Sequence, residues 1–528
     1  MRKRRKRVVL AVAIAAVLFT GCTAKTGGNS AESDVSQEQK GEVMQTESTE
    51  NKIELSFFGP IWKPYPESSP ILDELMKRTN TKIDFEWVDN DSFETKLAAK
   101  VASKELPDII CVGQSTKINM NDLIRSGVLI PLTEYVETSM PNYSRFLTEE
   151  DRIQIVNQED GEIYAIGMLM DVPPAYSTMI RKDWLDNLGL SMPQTWEEWV
   201  QVWRAFKTED ANGNGDANDE IPFAVNYEYF KFLMNIFGMQ SNGRFSIVDG
   251  EYLYDPENPQ YEAFLDEMRM LYAEGLFAKE FVTLVSTDFN TLGASNTLGS
   301  LIGFAEYAKN YTISCREIDE DALFQCVTPI LGPRGAQNIP ARAKVTLNTY
   351  ITAEAAKQGK TESIIQLLDY IYSDEGIELT NYGIEGEFFE RVDGKPILKA
   401  PYNESFTVAR QSGLIPSTIP FYFSEEVYMQ ILTGGMSYEE LDDAGKTFMD
   451  GMTINNDYYY TEPPMFMTEA YTDHFDLLEQ QEALRDRYIM GQIEKEEYNS
   501  GYEKLKAAGL HEVIEQGKEA YRSVKEGK

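Results

Sequence analysis

Lys52-Ile53-Glu54-Leu55-Ser56-Phe57-Phe58-Gly59-Pro60 decides the fold. Alternation of polar and apolar residues gives way to a fully apolar run, and Gly59-Pro60 stops it, so the stretch reads as a strand. Ser69-Pro70-Ile71-Leu72-Asp73-Glu74-Leu75-Met76 follows as a helix with proline at its start. Thr81 to Trp87 is a strand, Ser92 to Ser103 a helix, and Asp108 to Val112 a strand ending at Gly113-Gln114-Ser115. This alternation predicts an α/β fold in which a parallel sheet is covered by helices. Ligands meet such sheets at the carboxyl ends of the strands, which puts Trp62, Gly113 and Gln114 at a ligand mouth.

Further along, Pro193-Gln194-Thr195-Trp196-Glu197-Glu198-Trp199 opens a helix. Thr195 and Glu198 stand at capping-box spacing. Trp199, Val202, Trp203 and Phe206 recur at i, i+3, i+4 and i+7, a stripe that belongs to the core. The loop Asp210-Ala211-Asn212-Gly213-Asn214-Gly215-Asp216-Ala217-Asn218-Asp219-Glu220 comes next. Oxygens at positions 1, 3 and 5 with glycine at 6 form the first half of a calcium loop, because a hard cation needs six to eight oxygens and the glycine permits the sharp turn. Asp216 would give its backbone carbonyl, and Asn218, Asp219 and Glu220 offer closing ligands. Position 12 is Ile221 and the exit Ile221-Pro222-Phe223-Ala224-Val225 is strand-like, so the expectation is a helix–loop–strand site for a structural Ca²⁺.

Before Lys52 the chain changes character. Thr23 to Asn51 is a polar tract with almost no bulky apolar residue and reads as a flexible leash. About thirty residues of such coil span roughly 30 Å. Residues 1–21 run from six basic residues (Arg2 to Arg7) through an apolar stretch, Val8 to Phe19, to Thr20-Gly21, with Cys22 next. That is the order of a lipoprotein signal peptide, with Cys22 as the lipid-bearing residue, although Phe19 stands where such signals usually carry leucine. The apolar stretch is too short for a bilayer span of ~20 residues. The expected location is the outer face of a cell membrane, tethered by lipid.

The 528 residues imply more than one core, and 42% hydrophobic and 12% aromatic content suffice to build them. Net charge is −37, and about −43 without the basic leader. A surface this acidic repels nucleic acid and anionic lipid. Besides Cys22 there are Cys111, Cys315 and Cys326, expected as reduced, buried thiols. No spacing resembles a zinc site. His474 and His511 lie in helical C-terminal sequence, which leaves no Ser/His/Asp set and no acid pair in a recognisable active-site motif. No enzymatic activity is expected.

Several segments together resemble a family. Trp184-Leu185-Asp186-Asn187-Leu188-Gly189-Leu190, the Pro193–Trp199 stretch, the acidic Asn-Gly loop ending in Glu220-Ile221-Pro222, Leu271-Tyr272-Ala273-Glu274-Gly275-Leu276-Phe277, Leu368-Asp369-Tyr370-Ile371-Tyr372-Ser373-Asp374-Glu375-Gly376 and Tyr382-Gly383-Ile384-Glu385-Gly386 resemble the extracellular solute-binding proteins of ABC sugar importers. The likeness is strongest to the lipoproteins of the oligosaccharide- and alginate-binding branch. It implies a two-lobed periplasmic-binding-protein-like fold of type II, closing at a hinge, with a large helical C-terminal part. Carried over, lobe one is 52–170 plus 326–385 and lobe two is 171–325 plus 386–528. The resemblance maps calcium ligands onto Asp210, Asn212, Asn214, Asp216 and Glu220, with Asn218 and Asp219 both open as the further one.

A sugar site needs flat aromatic faces against the C–H faces of pyranose rings and planar polar groups for paired hydroxyls. The candidates are Trp62, Tyr65, Gln114, Tyr164, Tyr227, Tyr229, Tyr307, Arg342, Glu385 and Phe389. Arg342 would suit a uronic acid carboxylate through a bidentate pair. The implied partners are a carbohydrate ligand and an ABC permease in the same membrane, with the chain itself a monomer. Lipid tethering in place of a periplasm suggests a Gram-positive source. The same scaffold serving a peptide or polyol, or an extracellular glycan-active enzyme, stands as the alternative.

Overall fold

The computed structural model describes residues 52–525 except 62–64, 67, 114–117, 119, 149–150, 153–154, 158–159, 172–175, 342–343 and 417–418. The leader, Cys22 and the leash lie outside the described residues, as do Trp62, Gln114 and Arg342.

The opening motif folds as its pattern dictates. Strand β1 (Ile53–Ile61) pairs in parallel with β2 (Thr81–Asp89) and β3 (Ile109–Val112). Ser69 caps the helix Pro70–Arg78, its hydroxyl accepting from Leu72 N–H. With β4 (Ala165–Asp171), β12 (Val345–Ile351) and β15 (Tyr422–Ser424) these strands make a six-stranded sheet in the order β15-β4-β12-β3-β1-β2. A second sheet of four strands, β10-β5-β9-β6, is built from β5 (Tyr176–Arg181), β6 (Ala224–Val225), β9 (Ser300–Phe304) and β10 (Phe324–Val327). Three small ribbons pair β7 (Phe245–Val248) with β8 (Glu251–Tyr254), β11 (Ile339–Pro340) with β16 (Tyr459–Tyr460), and β13 (Phe389–Val392) with β14 (Lys395–Leu398).

The sheets are mixed, not purely parallel as the alternation alone predicts. In the first, β12 runs antiparallel to both neighbours while the other five strands share one direction. In the second, β5 opposes β9 and β10. The reason is topological. Strands β5 and β12 are each the first strand entered after the chain passes from one sheet to the other. A strand that enters from the end where the others leave must run against them.

Sheet membership corrects the expected lobe boundaries. Cys326 and Val327 pair with Met179 and Thr178, so they belong to the second lobe. The return to the first lobe comes after Ala341, whose N–H still donates to the Tyr460 carbonyl, and before Lys344, whose carbonyl accepts from Met170. Residues 386–433 belong to the first lobe, because β15 completes its sheet and the helix Glu425–Thr433 packs there. The third crossing falls in 434–442, ahead of the helix Asp443–Thr453, where Cys326 N–H donates to Thr447 Oγ1 at 2.8 Å. Glu385, expected at the end of the lobe-one segment, is therefore well inside lobe one. Strands β4, ending at Asp171, and β5, starting at Tyr176, lie in different sheets.

The tryptophan stripe is core: Trp199, Val202, Trp203 and Phe206 are all buried, and the Trp203 ring stacks on Phe223 at 4.6 Å. Trp203 Nε1 donates to Ser300 Oγ at 2.8 Å, tying the helix Trp196–Thr208 to β9. Its capping box is complete: Glu198 N–H donates to Thr195 Oγ1, and the Glu198 carboxylate accepts from Thr195 N–H at 3.0 Å. Thr195→Ala should lower unfolding stability by ~1 kcal/mol, read as a shift in urea midpoint at constant slope. Cys111, Cys315 and Cys326 are buried free thiols. Burial pushes Cys111 and Cys326 up to about 12.

Candidate functional site

A cleft opens where the two sheets present the ends of their strands to each other. It holds two cavities that share Ala341 and Glu462, of about 1210 and 1020 Å³. Each wall of the larger one follows from strand direction. From lobe two come Tyr176 at the start of β5, Phe304 at the end of β9, and Glu228 and Tyr229 in the turn after β6. From lobe one come Met168 and Met170 of β4, Thr346 and Leu347 at the start of β12, Phe421 just before β15 and Phe423 within it. Phe406, Arg410 and Tyr428 close the far side from two helices.

The lobe-two wall is an aromatic surface. Tyr229 stacks on Phe232 (5.3 Å, 14°) and meets Phe304 edge-on (5.6 Å, 85°). Tyr176 lies 4.9 Å from Phe304. Polar groups are set between the rings. Lys231 pairs with Glu462 at 2.7 Å. Lys309 Nζ donates across the cleft to the Leu432 carbonyl, and burial lowers its pKa. A β-bulge between Thr346 and Asn348 puts Leu347 at φ 45°, and Ile415 sits at φ 56°. Both are disfavoured conformations for branched side chains, and both residues line the cavity, which is where strained backbone tends to collect.

Of the expected ligand residues, Tyr229 lines the larger cavity and Tyr164 the smaller. The Tyr164 hydroxyl donates to Asp160 Oδ2 at 2.8 Å, and burial together with that carboxylate pushes it up to about 12. Tyr307 stands one layer behind the wall, stacked on Tyr311 (5.0 Å, 16°) and edge-on to Phe304. Tyr65 is buried and its hydroxyl donates to the Gly413 carbonyl at 3.2 Å. Phe389, expected at the ligand, is a core residue at 1% exposure packed on Tyr382, so its face is closed to any ligand. Glu385 is exposed, pairs with Arg391 at 3.2 Å and lines neither cavity. Glu385→Ala should therefore leave ligand affinity within about twofold of the parent by calorimetry.

Sequence reasoning passed over Tyr176, Phe304, Phe406, Phe421, Phe423 and Tyr428. For Phe304 a signal existed: it ends the run Ser300-Leu301-Ile302-Gly303-Phe304, the place where an α/β strand delivers a ligand contact. The lobe-one aromatics carried none, because nothing local shows that β15 joins the first sheet.

The acidic loop joins the helix Trp196–Thr208 to β6. It is a chain of side-chain-to-backbone turns: Asn212 Oδ1 accepts from Asn214 N–H (3.0 Å), Asn214 Oδ1 from Asp216 N–H (2.7 Å), and Asp216 Oδ1 from Asn218 N–H (3.2 Å). Asp219 reaches across, its carboxylate accepting from the side-chain amides of Asn212 (3.2 Å) and Asn214 (2.7 Å). Asn218 instead donates to Asp216. Glu220 is 1% exposed; Oε1 accepts from Ala211 N–H at 2.9 Å, and burial raises its pKa. Glu220 Oε2 and Asp210 Oδ1 are buried with no hydrogen-bond partner among the described residues. Carboxylate oxygens left so are costly unless a cation or proton meets them, and the all-oxygen set fits a hard cation. Among the described residues no three His, Cys, Asp or Glu side chains cluster closely enough to hold a metal, so asparagine and backbone oxygens would have to complete the shell.

Residues 64–291, which include Tyr176 and Tyr229 of the lobe-two wall and the acidic loop, match the model of the bacterial extracellular solute-binding protein family. The chain is 23% identical to the lipoprotein LipO of Bacillus subtilis (strain 168) over 99% of its own length and all of that protein's. It is 30% identical, over 53% of each chain, to the fructooligosaccharide ABC transporter substrate-binding protein FusA of Streptococcus pneumoniae serotype 4 (strain ATCC BAA-334 / TIGR4). The crystal structure of the alginate-binding protein AlgQ2 without calcium ion superposes with a TM-score of 0.72, covering 90% of this chain and 99% of that one at 20% identity, which shows the shared two-lobed fold. No helix of the described residues is long and apolar enough to cross a membrane.

Proposed function

We propose that this chain is an extracellular solute-binding protein that captures a carbohydrate, an oligosaccharide, between its lobes and hands it to an ABC importer in the same membrane. The observation that carries the reading is the cleft itself. Ring faces at Tyr176, Tyr229 and Phe304 look across a space of about 1210 Å³ to Phe406, Phe421, Phe423 and Tyr428. Flat apolar faces suit pyranose C–H surfaces, and the carboxylates, cations and carbonyls between them suit hydroxyls. The likeness to FusA, a fructooligosaccharide ABC transporter substrate-binding protein, and to AlgQ2, an alginate-binding protein, supports the ligand class. The role is capture and release without turnover.

A calcium ion in the loop belongs to the same proposal. Asp210, Asn212, Asn214, the Asp216 carbonyl and Glu220 would hold it, with Asp219 favoured over Asn218 because its carboxylate already faces the Asn212 and Asn214 side chains. The ion would cross-link the exit of a core helix to β6 and take no part in binding sugar. Cys22 would carry the lipid anchor, and LipO's name as a lipoprotein supports it. The expected location is the extracellular face of the membrane. A thermal-shift panel of mono- and oligosaccharides, run with Ca²⁺ and with EGTA, tests the whole reading. A Tm rise with at least one saccharide is expected, whereas a rise with peptides alone would replace carbohydrate as the ligand.

A further inference from the structure

The short 3-10 turn Tyr227–Tyr229 sends its residues in opposite directions. Glu228 and Tyr229 line the cleft, while Tyr227 turns toward the C-terminal helix Phe475–Ile489. The Tyr227 hydroxyl donates to Asp486 Oδ2 and accepts from Arg485 Nη2 at 2.9 Å. Arg485 Nε donates to Asp486 Oδ1 at 2.8 Å. The same guanidinium lies 4.5 Å from the Phe230 ring centroid. One ion pair therefore grips both flanks of the two residues that face the ligand space. On the sheet side the Asn226 side chain accepts from Glu228 N–H at 3.0 Å and pins the start of the turn.

Arg485 and Asp486 are both buried. A buried pair of this kind adds little net stability over apolar residues of equal volume, because desolvation consumes most of the attraction. What it supplies is geometry, since a planar guanidinium and a carboxylate fix the hydroxyl between them in one place. We infer that Arg485 and Asp486 are positioning residues for the ligand wall, setting the pose of Tyr229 through the Tyr227 hydroxyl. The inference rests on the reading of the cleft as the saccharide site. It gives the C-terminal helices a part in affinity although they do not touch the larger cavity.

The test reads the pose without any ligand. 3-Fluorotyrosine is introduced at position 229 of the full chain and followed by fluorine NMR. A single narrow resonance is expected in the parent. Tyr227→Phe keeps the ring and removes only the hydroxyl, and it should broaden, split or move that resonance. Asp486→Asn should act in the same direction. Tyr488→Phe is the control: it deletes a hydrogen bond from the same helix, to Asp266 Oδ1 at 2.6 Å, and should leave the resonance in place. An unchanged resonance in Tyr227→Phe overturns the proposal. So does an equal change in Tyr488→Phe, which would assign the effect to general loosening. Neither outcome depends on a sugar binding, so a failure of the saccharide reading is separately visible in the thermal-shift panel.

Discussion

Removing divalent cations with EGTA should lower the melting temperature by about 5–15 °C, and Glu220→Gln should lose most of the same margin in the presence of Ca²⁺. An ion held at 100 to 1,000 times its Kd contributes roughly 3–4 kcal/mol through linkage, and each kcal/mol shifts Tm by about 2–4 °C in a domain of this lobe's size. The structural ground is that Asp210 Oδ1 and Glu220 Oε2 are buried with nothing among the described residues to meet them. The pH dependence carries a sign. Burial raises the Glu220 pKa, so without metal the folded state keeps a proton that the unfolded chain has released. In EGTA, stability then falls as pH rises from the ordinary carboxylate value to the raised one. With calcium the sign reverses, because binding requires the ionised carboxylate. Scanning calorimetry at several pH values reads both effects. A Tm indifferent to EGTA would remove the metal from the account.

The second large effect is at the aromatic wall. Tyr229→Ala and Phe304→Ala should each weaken saccharide binding by about 10–100-fold, the factor for ~1.5–3 kcal/mol of lost stacking and apolar contact. Tyr229 is backed by Phe232 and held edge-on by Phe304, so its face is presented in one pose. Tyr229→Phe keeps the face and should cost only about threefold, within the range of one neutral hydrogen bond. Titration calorimetry with the saccharide that gives the largest thermal shift separates the variants. Affinity unaltered in Tyr229→Ala would mean that the ligand sits elsewhere in the cleft.

What the sequence reveals of this architecture depends on how local the cause is. The motif from Lys52 to Val112 needs only alternation, a proline and a few caps, and it folds as read. The capping box at Thr195 and the tryptophan stripe are equally local. The lobe boundaries are not, because they depend on which sheet accepts a strand. Cys326 looks like the start of a return to lobe one until its pairing with Met179 is seen. The short strand Tyr422–Ser424 gives no sign that it joins β4 more than 250 residues away. The same limit governs the site. Tyr229 and Tyr164, which line the two cavities, are legible because aromatic residues near strand ends are a local feature. Phe421 and Phe423 are not, since only the tertiary fold brings them to the same cavity as Phe304. Phe389 and Glu385 line neither cavity, because Phe389 packs into the core at the start of a tight hairpin and Glu385 pairs with Arg391 at the surface.

The central claim is that the aromatic cleft binds a carbohydrate and does nothing further to it. The most direct measurement is titration calorimetry of the purified protein with neutral and uronic oligosaccharides, the sugar recovered afterwards and analysed by mass. The account predicts one-to-one binding of at least one oligosaccharide, with the sugar returned intact. Heat with peptides and with none of the saccharides, or a recovered sugar that has been cleaved, would contradict it.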